Sequence, residues 1–259
     1  MNTFQSLRLI HELYFKKGLP DLDLIQSYGL LAVKIGQLHA LRLDFLPAEK
    51  CAHLAQLYRA ASPIPAEDID TLLSAHGGPE FRKRFSSIDP DPIAVASVGQ
   101  VYRATLSDGT PVAIKVIKKD FKERFSHDVA KLRRFFRLAL ALYPRLRGVG
   151  DPLGILGDIE EYTTAELDLR NEMRGQGVLC ELRDRYRESF DLSLLEFPKI
   201  YTELSGENVL ASEFIEAPTV DELLSRGVFT YEDMLKLFYL QGFFMFKTGS
   251  FTETSTRET

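Results

Sequence analysis

Ile93-Ala94-Val95-Ala96-Ser97-Val98-Gly99-Gln100-Val101-Tyr102-Arg103-Ala104, then Ser107-Asp108-Gly109-Thr110, then Val112-Ala113-Ile114-Lys115-Val116-Ile117: this stretch decides the fold. It is rich in β-branched residues and lacks helical periodicity, so Ile93–Ala96, Gln100–Leu106 and Val112–Ile117 read as strands. Asp108-Gly109 is a hairpin signal, because glycine tolerates the positive φ of such a turn. The last strand is apolar along its length and is expected to be central, with both faces covered. Lys115 therefore needs an anionic partner, since burying an unpaired ammonium costs several kcal/mol.

Outward from this stretch the pattern is helical. Residues 1 to about 85 show apolar residues at helical spacing, first over Leu7–Tyr14 and then continuously over Asp21–Leu43. Pro47 suits the first turn of a third helix, and Ala66-Glu67-Asp68 starts a short one through Leu73. Asp120–Leu146 is predicted helical, Gly148–Gly154 a loop, and Ile155 to about Tyr186 one long charged helix. Pro198–Leu204 and Asn208–Ile215 read as two further strands. Ala217-Pro218 marks a linker, and Thr230 with Asp233 caps a helix running to about Lys247. The predicted domains are 1–85 (helical extension), 86–216 (sheet with inserted helices) and 217–259 (start of a further lobe).

The chain has 259 residues and a formal net charge of -5, which argues against a general nucleic-acid binder. Its two cysteines, Cys51 and Cys180, suggest neither a disulfide framework nor a metal site, and a reducing cytosol fits. Met1–Tyr14 lacks the apolar core of a secretory signal. No stretch reaches the ~18 apolar residues that span a bilayer.

Three groups of residues invite a chemical reading. Ser97 and Gly99 leave backbone N–H groups open to an anion, although the loop by itself reads rather as a plain hairpin. Glu166, Asp168 and Glu172 sit on the long predicted helix. There Glu166 and Asp168 face apart, and Glu172 lies about 600° of rotation beyond Glu166 at ~100° per residue. They serve different partners or form a solvated charged face. Lys34-Ile35-Gly36-Gln37 places a glycine in an apolar helix at a cost of ~1 kcal/mol against alanine. Close approach by a neighbour explains that, and so does ordinary helix packing. The five histidines form no ligand spacing.

Together these segments resemble the ABC1/UbiB/COQ8 (AarF/ADCK) family of atypical kinases. Lys34-x-Gly36-Gln37 resembles its KxGQ motif. Ala94-Val95-Ala96-Ser97-Val98-Gly99-Gln100 resembles its alanine-rich loop, with Val95 as a departure. Lys115 matches the kinase strand lysine, Glu166-Leu167-Asp168 the ExD motif, Glu172 the helix-C glutamate that pairs with the lysine, and Glu213-Phe214-Ile215 the hinge before the adenine pocket. The resemblance runs from about Leu24 to Gly249. It implies an α+β fold: a protein-kinase-like nucleotide lobe of antiparallel sheet plus helix C, an N-terminal helical extension, and only the start of the large lobe. It also implies that the KxGQ helix folds over the site with Lys34 near Glu166.

By the same resemblance, ATP and magnesium are the expected cofactors. Lys115, Glu172, Ala94, Ala96, Ser97, Val98, Gly99, Gln100, Glu213 and Ile215 are the expected nucleotide contacts. Lys34, Gly36, Gln37, Glu166 and Asp168 are the expected regulatory residues. The implied function is ATP binding linked to ubiquinone or isoprenoid-lipid metabolism, in the cytoplasm or peripheral to a membrane, with lipid and quinone-biosynthesis proteins as partners. A different reading is a non-catalytic helical scaffold that keeps a nucleotide-lobe shape. An aminoglycoside-phosphotransferase-like enzyme shares the lobe but gives no reason for the Lys34-Gly36-Gln37 helix.

The family's catalytic loop, of the form His-Gly-Asp-x-His-Pro-Gly-Asn, is expected after Phe251. The sequence there is Thr252-Glu253-Thr254-Ser255-Thr256-Arg257-Glu258-Thr259. Deleting one nucleotide from codons for Phe-His-Gly-Asp-Ile-His-Pro-Gly-Asn yields this tail, so the expectation is a frameshifted end, no catalytic or metal-binding residue in this chain, and poor solubility. Reading the gene onward in the other frame tests it: absence of that loop there would sink the idea.

Overall fold

The computed structural model describes residues 1–58, 66–96, 98–117, 120–143, 151–192 and 195–248. Ser97, the 144–150 part of the predicted helix end and loop, and the tail from 249 on lie outside the described residues.

The chain forms two compact units, one of Met1–Asn171 with Ile200–Ser212, the other of Glu172–Lys199 with the chain from Glu213 on. The first unit carries the sheet: β1 (Phe85–Ile88), β2 (Ala94–Val95), β3 (Gly99–Leu106), β4 (Pro111–Ile117) and β5 (Val209–Glu213, its last residue in the second unit). The order is β1-β3-β4-β5, with β2 also on β3. β4 is central, as its apolar run predicts. β1, Phe85-Ser86-Ser87-Ile88, is a strand the sequence pattern does not reveal. It shares an edge of β3 with β2, and the two are separated by Pro90 and Pro92, which have no N–H for a ladder.

The β3–β4 hairpin turns at Gly109, φ 88°. Thr110 N–H is held by Asp108 Oδ1 at 2.9 Å, and Leu106 N–H donates to Thr110 C=O at 2.8 Å. In antiparallel pairing, directly opposed residues share a face. Gln100–Val116, Tyr102–Ile114 and Ala104–Val112 therefore point one way. They are buried, most of them in a core completed by Leu73, Phe81, Phe85, Leu204, Val209 and Ala211. The other face carries Val101–Lys115 and Arg103–Ala113. It is only half covered at Val101, Ala113 and Lys115, so the expected equal cover of both β4 faces does not hold.

The helices of the first unit are α1 (Thr3–Ile10), running into a π-helical turn at His11–Phe15; α2 (Leu22–Ser27); α3 (Leu30–His39); α4 (Ala48–Leu54), followed by a 3-10 turn at Ala55–Tyr58; α5 (Ala66–Gly77); α6 (Asp120–Leu142); and α7 (Pro152–Glu166). α8 (Leu169–Tyr186) leads into the second unit, which holds α9 (Val220–Ser225) and α10 (Tyr231–Thr248). The α2–α4 region has its own core of Leu9, Leu13, Ile25, Ala32, Cys51, Leu54 and Leu57.

Four expectations need correction. The predicted helix over Asp21–Leu43 is two helices, because Gly29 at φ 93° leaves the helical region. The predicted single helix over Ile155–Tyr186 is also two, broken at Leu167-Asp168. Leu167 is buried, and Asp168 accepts the Arg170 N–H at 3.1 Å and so caps α8. The wheel argument for Glu166 and Glu172 fails with it. The predicted strand Pro198–Leu204 is a single bridge, Ile200 to Ser212, and a 3-10 turn at Thr202–Leu204. There Ser205 Oγ bonds back to Tyr201 C=O at 2.7 Å and takes the Ala211 N–H at 3.0 Å, a local alternative to a ladder. The predicted Gly148–Gly154 loop ends early, since Asp151 caps α7 through Leu153 and Gly154 N–H.

Candidate functional site

The half-covered face of the sheet assembles the alanine-rich segment and the lysine. Ala94 pairs with Val101, and Val101 pairs with Lys115, so the three stand in one row across β2, β3 and β4. Ala94 and Ala96 are exposed, while Val98, Gly99 and Gln100 are buried. The turn is tight: Ala96 N–H donates to Gly99 C=O at 2.8 Å. A Cβ on Gly99 would stand 2.7 Å from Val116 O, so only glycine fits the close approach of β3 to β4. Gln100 points to the core face instead, where its amide oxygen accepts the Tyr102 hydroxyl. Any role of position 100 at the open face falls to its backbone.

Lys34 on α3 forms an ion pair with Glu166 at the end of α7. The lysine side chain is 14% exposed and the carboxylate 48%. Gly36 and Gln37 face the Ala55–Tyr58 turn. A Cβ on Gly36 would meet Leu57 Cδ1 at 2.4 Å, Gln37 Nε2 donates to Leu57 C=O at 3.0 Å, and the Tyr58 hydroxyl donates to Gln37 C=O at 3.0 Å. Burial and the nearby Glu166 charge raise the Tyr58 pKa. The KxGQ-like residues thus have two jobs in the structure: Lys34 ties α3 to α7, and Gly36-Gln37 seat the turn that follows α4.

Asp168 faces away from that pair. Arg170 grips it through Nε at 2.8 Å and Nη2 at 2.7 Å, and this guanidinium holds the Asp168 carboxyl below its ordinary pKa against the opposing effect of burial. Arg170 also reaches Glu207 at 3.7 Å, and Glu207 accepts Lys122 Nζ at 2.7 Å. Leu169 N–H donates to Glu207 C=O at 2.9 Å, which fixes the start of α8 against the turn before β5.

Glu172 is exposed in the first turn of α8 and belongs to the second unit, whereas Lys115 belongs to the first. Glu213, at the end of β5, is engaged with Lys199: its N–H donates to Lys199 C=O at 2.7 Å, and its carboxylate accepts the Lys199 N–H at 3.1 Å. Ile215 is 54% exposed. Among the described residues no cluster of three or more His, Cys, Asp or Glu is placed to hold a metal ion. No helix among them is long and apolar enough to cross a membrane.

The sequence reading missed one polar pair. Tyr14 donates its hydroxyl to His39 Nε2, and His39 Nδ1 bonds Ile35 C=O at 2.7 Å. Nothing in the spacing of positions 14 and 39 signals this, because residues 16–21, α2 and the break at Gly29 all lie between their elements.

The chain is similar to known proteins. It is 28% identical over 232 residues to a probable protein kinase UbiB of Xylella fastidiosa, covering 85% of this chain and 40% of that protein. It is 27% identical over 191 residues to AarF domain-containing protein kinase 1 of Xenopus laevis, covering 73% of this chain and 35% of that one. A solved structure, the complex of Rv3197 with erythromycin from Mycobacterium tuberculosis, is 24% identical with a TM-score of 0.49, covering 87% of this chain and 51% of that one. The chain thus spans about two fifths or less of the length of these curated relatives. The family model for the ABC1 atypical kinase-like domain matches residues 56–243, well over half of the chain, so this protein belongs to the ABC1 atypical kinase-like family.

Proposed function

We propose that this chain is the nucleotide-binding part of a UbiB-type atypical kinase and holds ATP on the open face of its sheet. One observation carries the reading: the row Ala94, Val101, Lys115 sets a half-buried lysine in line with small apolar residues, on the face opposite the core. That combination suits an anion tethered to a flat ring system. Lys115 meets the phosphates as a fixed point charge. Val101 and Ala113 form the plate for the base, and the Ala96–Gly99 turn brings backbone close to the phosphates.

Within this reading Glu172, Glu213 and Ile215 are further candidates for nucleotide contact by resemblance to the family alone. The Lys34–Glu166 pair regulates access, with Gly36 and Gln37 setting the position of its helix and Asp168 that of α8. Magnesium, when bound, neutralises phosphate charge; no residue here is assigned as its ligand. Phosphoryl transfer also needs a group that positions the acceptor, and none of these residues fills that role, so the proposed activity of this stretch is binding rather than turnover. The link to ubiquinone or isoprenoid-lipid chemistry, with lipid surfaces and quinone-biosynthesis proteins as partners, is supported by likeness to UbiB proteins.

The test is thermal stability of the purified chain with and without ATP and magnesium. Binding at a hundredfold excess over Kd adds about 2.7 kcal/mol to stability, so the melting temperature should rise by several degrees. Lys115→Ala should fold normally and lose the rise. An equal rise in Lys115→Ala would defeat the reading, and no rise in either protein would favour the scaffold alternative.

A further inference from the structure

The first unit contains a cavity of about 100 Å³ among the N-terminal helix, α3, α6 and α7. Leu9, Leu13, Ile35, Leu132, Leu156 and Ile159 are among its apolar lining residues. Five of these are buried and belong to four different elements.

Its polar lining groups are already engaged with protein. Ser6 Oγ donates to Asn2 C=O at 3.0 Å. His39 uses one ring nitrogen on Ile35 C=O, so it is the other that accepts the Tyr14 hydroxyl. Burial lowers the His39 pKa, which keeps the ring neutral near pH 7. The Met1 ammonium, also part of the lining, is taken up by Asp128, so the cavity presents no unpaired charge and no free side-chain donor to an occupant. A water molecule needs two to four polar partners, whereas hydrocarbon gains about 25 cal/mol for each Å² of apolar surface it removes from water. Tyr14 is 46% exposed and marks the side on which the lining meets solvent.

The geometry points to a binding site for the end of a hydrocarbon chain. About 150 Å³ accommodates benzene, so this space takes about four or five carbons, with the polar remainder of the ligand at Tyr14 and the neighbouring Arg42, whose charge acts on the Tyr14 hydroxyl. The inference is independent of nucleotide binding, since none of the lining residues belongs to the sheet.

The experiment uses the full chain labelled at isoleucine δ1 and leucine methyl groups, titrated with 1-pentanol and, separately, with cyclohexane. Saturable shifts confined to Ile10, Ile35, Ile155, Ile159 and the neighbouring leucines are expected. Two filling variants, Ile155→Phe and Ile10→Phe, approach from opposite walls. Whichever of them keeps a cooperative melting transition should reduce the affinity at least tenfold. Tyr14→Phe should keep the cyclohexane shifts. Absence of saturable shifts in the wild-type chain would overturn the site. So would equal affinity in a folded filling variant, or shifts scattered over the α5 and sheet methyls. Should neither filling variant fold, the wild-type titration decides.

Discussion

At Gly99 the two central strands come so close that the main chain of Val116 occupies the space a methyl group would need. The obstacle is a backbone oxygen inside a paired ladder, which cannot rotate aside as a side chain can. Gly99→Ala should therefore destabilise the first unit by about 1–3 kcal/mol, read as a fall in the urea midpoint at constant slope. His39 supports a prediction of a different kind. Burial lowers its pKa, the Ile35 carbonyl partly opposes this, and the Arg42 charge adds to it. Below the ordinary histidine value of about 6.5, the unfolded chain takes up a proton that the folded chain resists. Stability therefore falls as pH drops from about 6.5 towards 5. His76 is shifted the same way by burial. His39→Asn should flatten part of this slope and His76→Phe another part, as seen in melting temperature against pH. An unchanged slope in both would refute the assignment. Lys115 was visible from sequence because a charge inside an apolar strand is anomalous on local grounds. The Tyr14–His39 contact was not, because it depends on how α3 folds back on the N-terminal helix across the linker, α2 and Gly29.

Among the elements, breaks carry as much information as helices. Periodicity finds the apolar faces of α2, α3, α7 and α8 but runs straight through Gly29 and Leu167-Asp168, since an apolar residue at 167 continues the pattern whether it packs in a helix or at its end. The capping chemistry was legible in hindsight: Asp168 stands two residues before the N–H it accepts. Asp168→Ala removes both this cap and the Arg170 pair, and should cost about 1–2 kcal/mol at neutral pH. The Asp168 carboxyl is held below its ordinary pKa, so its contribution is present above the unfolded value of about 3.9 and is lost as pH falls through the folded value. Asp168→Asn should then differ from wild type at pH 7 and converge with it in strong acid, as followed by circular dichroism at 222 nm. β1 escaped detection because Ser86 and Ser87 interrupt it; Ser86 Oγ instead donates to Thr105 and Leu106 carbonyls at 3.2 and 3.1 Å.

On the scale of the molecule, the second unit is thinly covered. Phe243 is buried with Leu192 against Tyr186 and Phe190, yet α10 exposes Leu235, Leu237, Phe238 and Tyr239 by 46–61%. Leu235, Phe238 and Tyr239 share one face of this helix, and an exposed apolar face favours self-association. Leu235→Glu with Phe238→Lys should raise the soluble fraction after centrifugation without lowering the melting temperature, and a lowered one would mean the side chains are needed for packing. The sequence anticipated this apolar helix and the kinase-like sheet. The reading of 86–216 as one domain already groups Ile200–Ser212 with the sheet strands; in the structure this segment returns to the first unit after an excursion through α8 and the chain to Lys199.

That return sets an order of events on the ribosome. β4 closes its hairpin with β3 early, but the strand for its other edge emerges roughly ninety residues later, an interval of about 5–20 s at usual synthesis rates. Throughout that time the backbone groups of Ala113, Lys115 and Ile117 line a bare edge with open hydrogen-bonding groups. The nascent chain is then most exposed to chaperones, and to pairing with a neighbour on the same message.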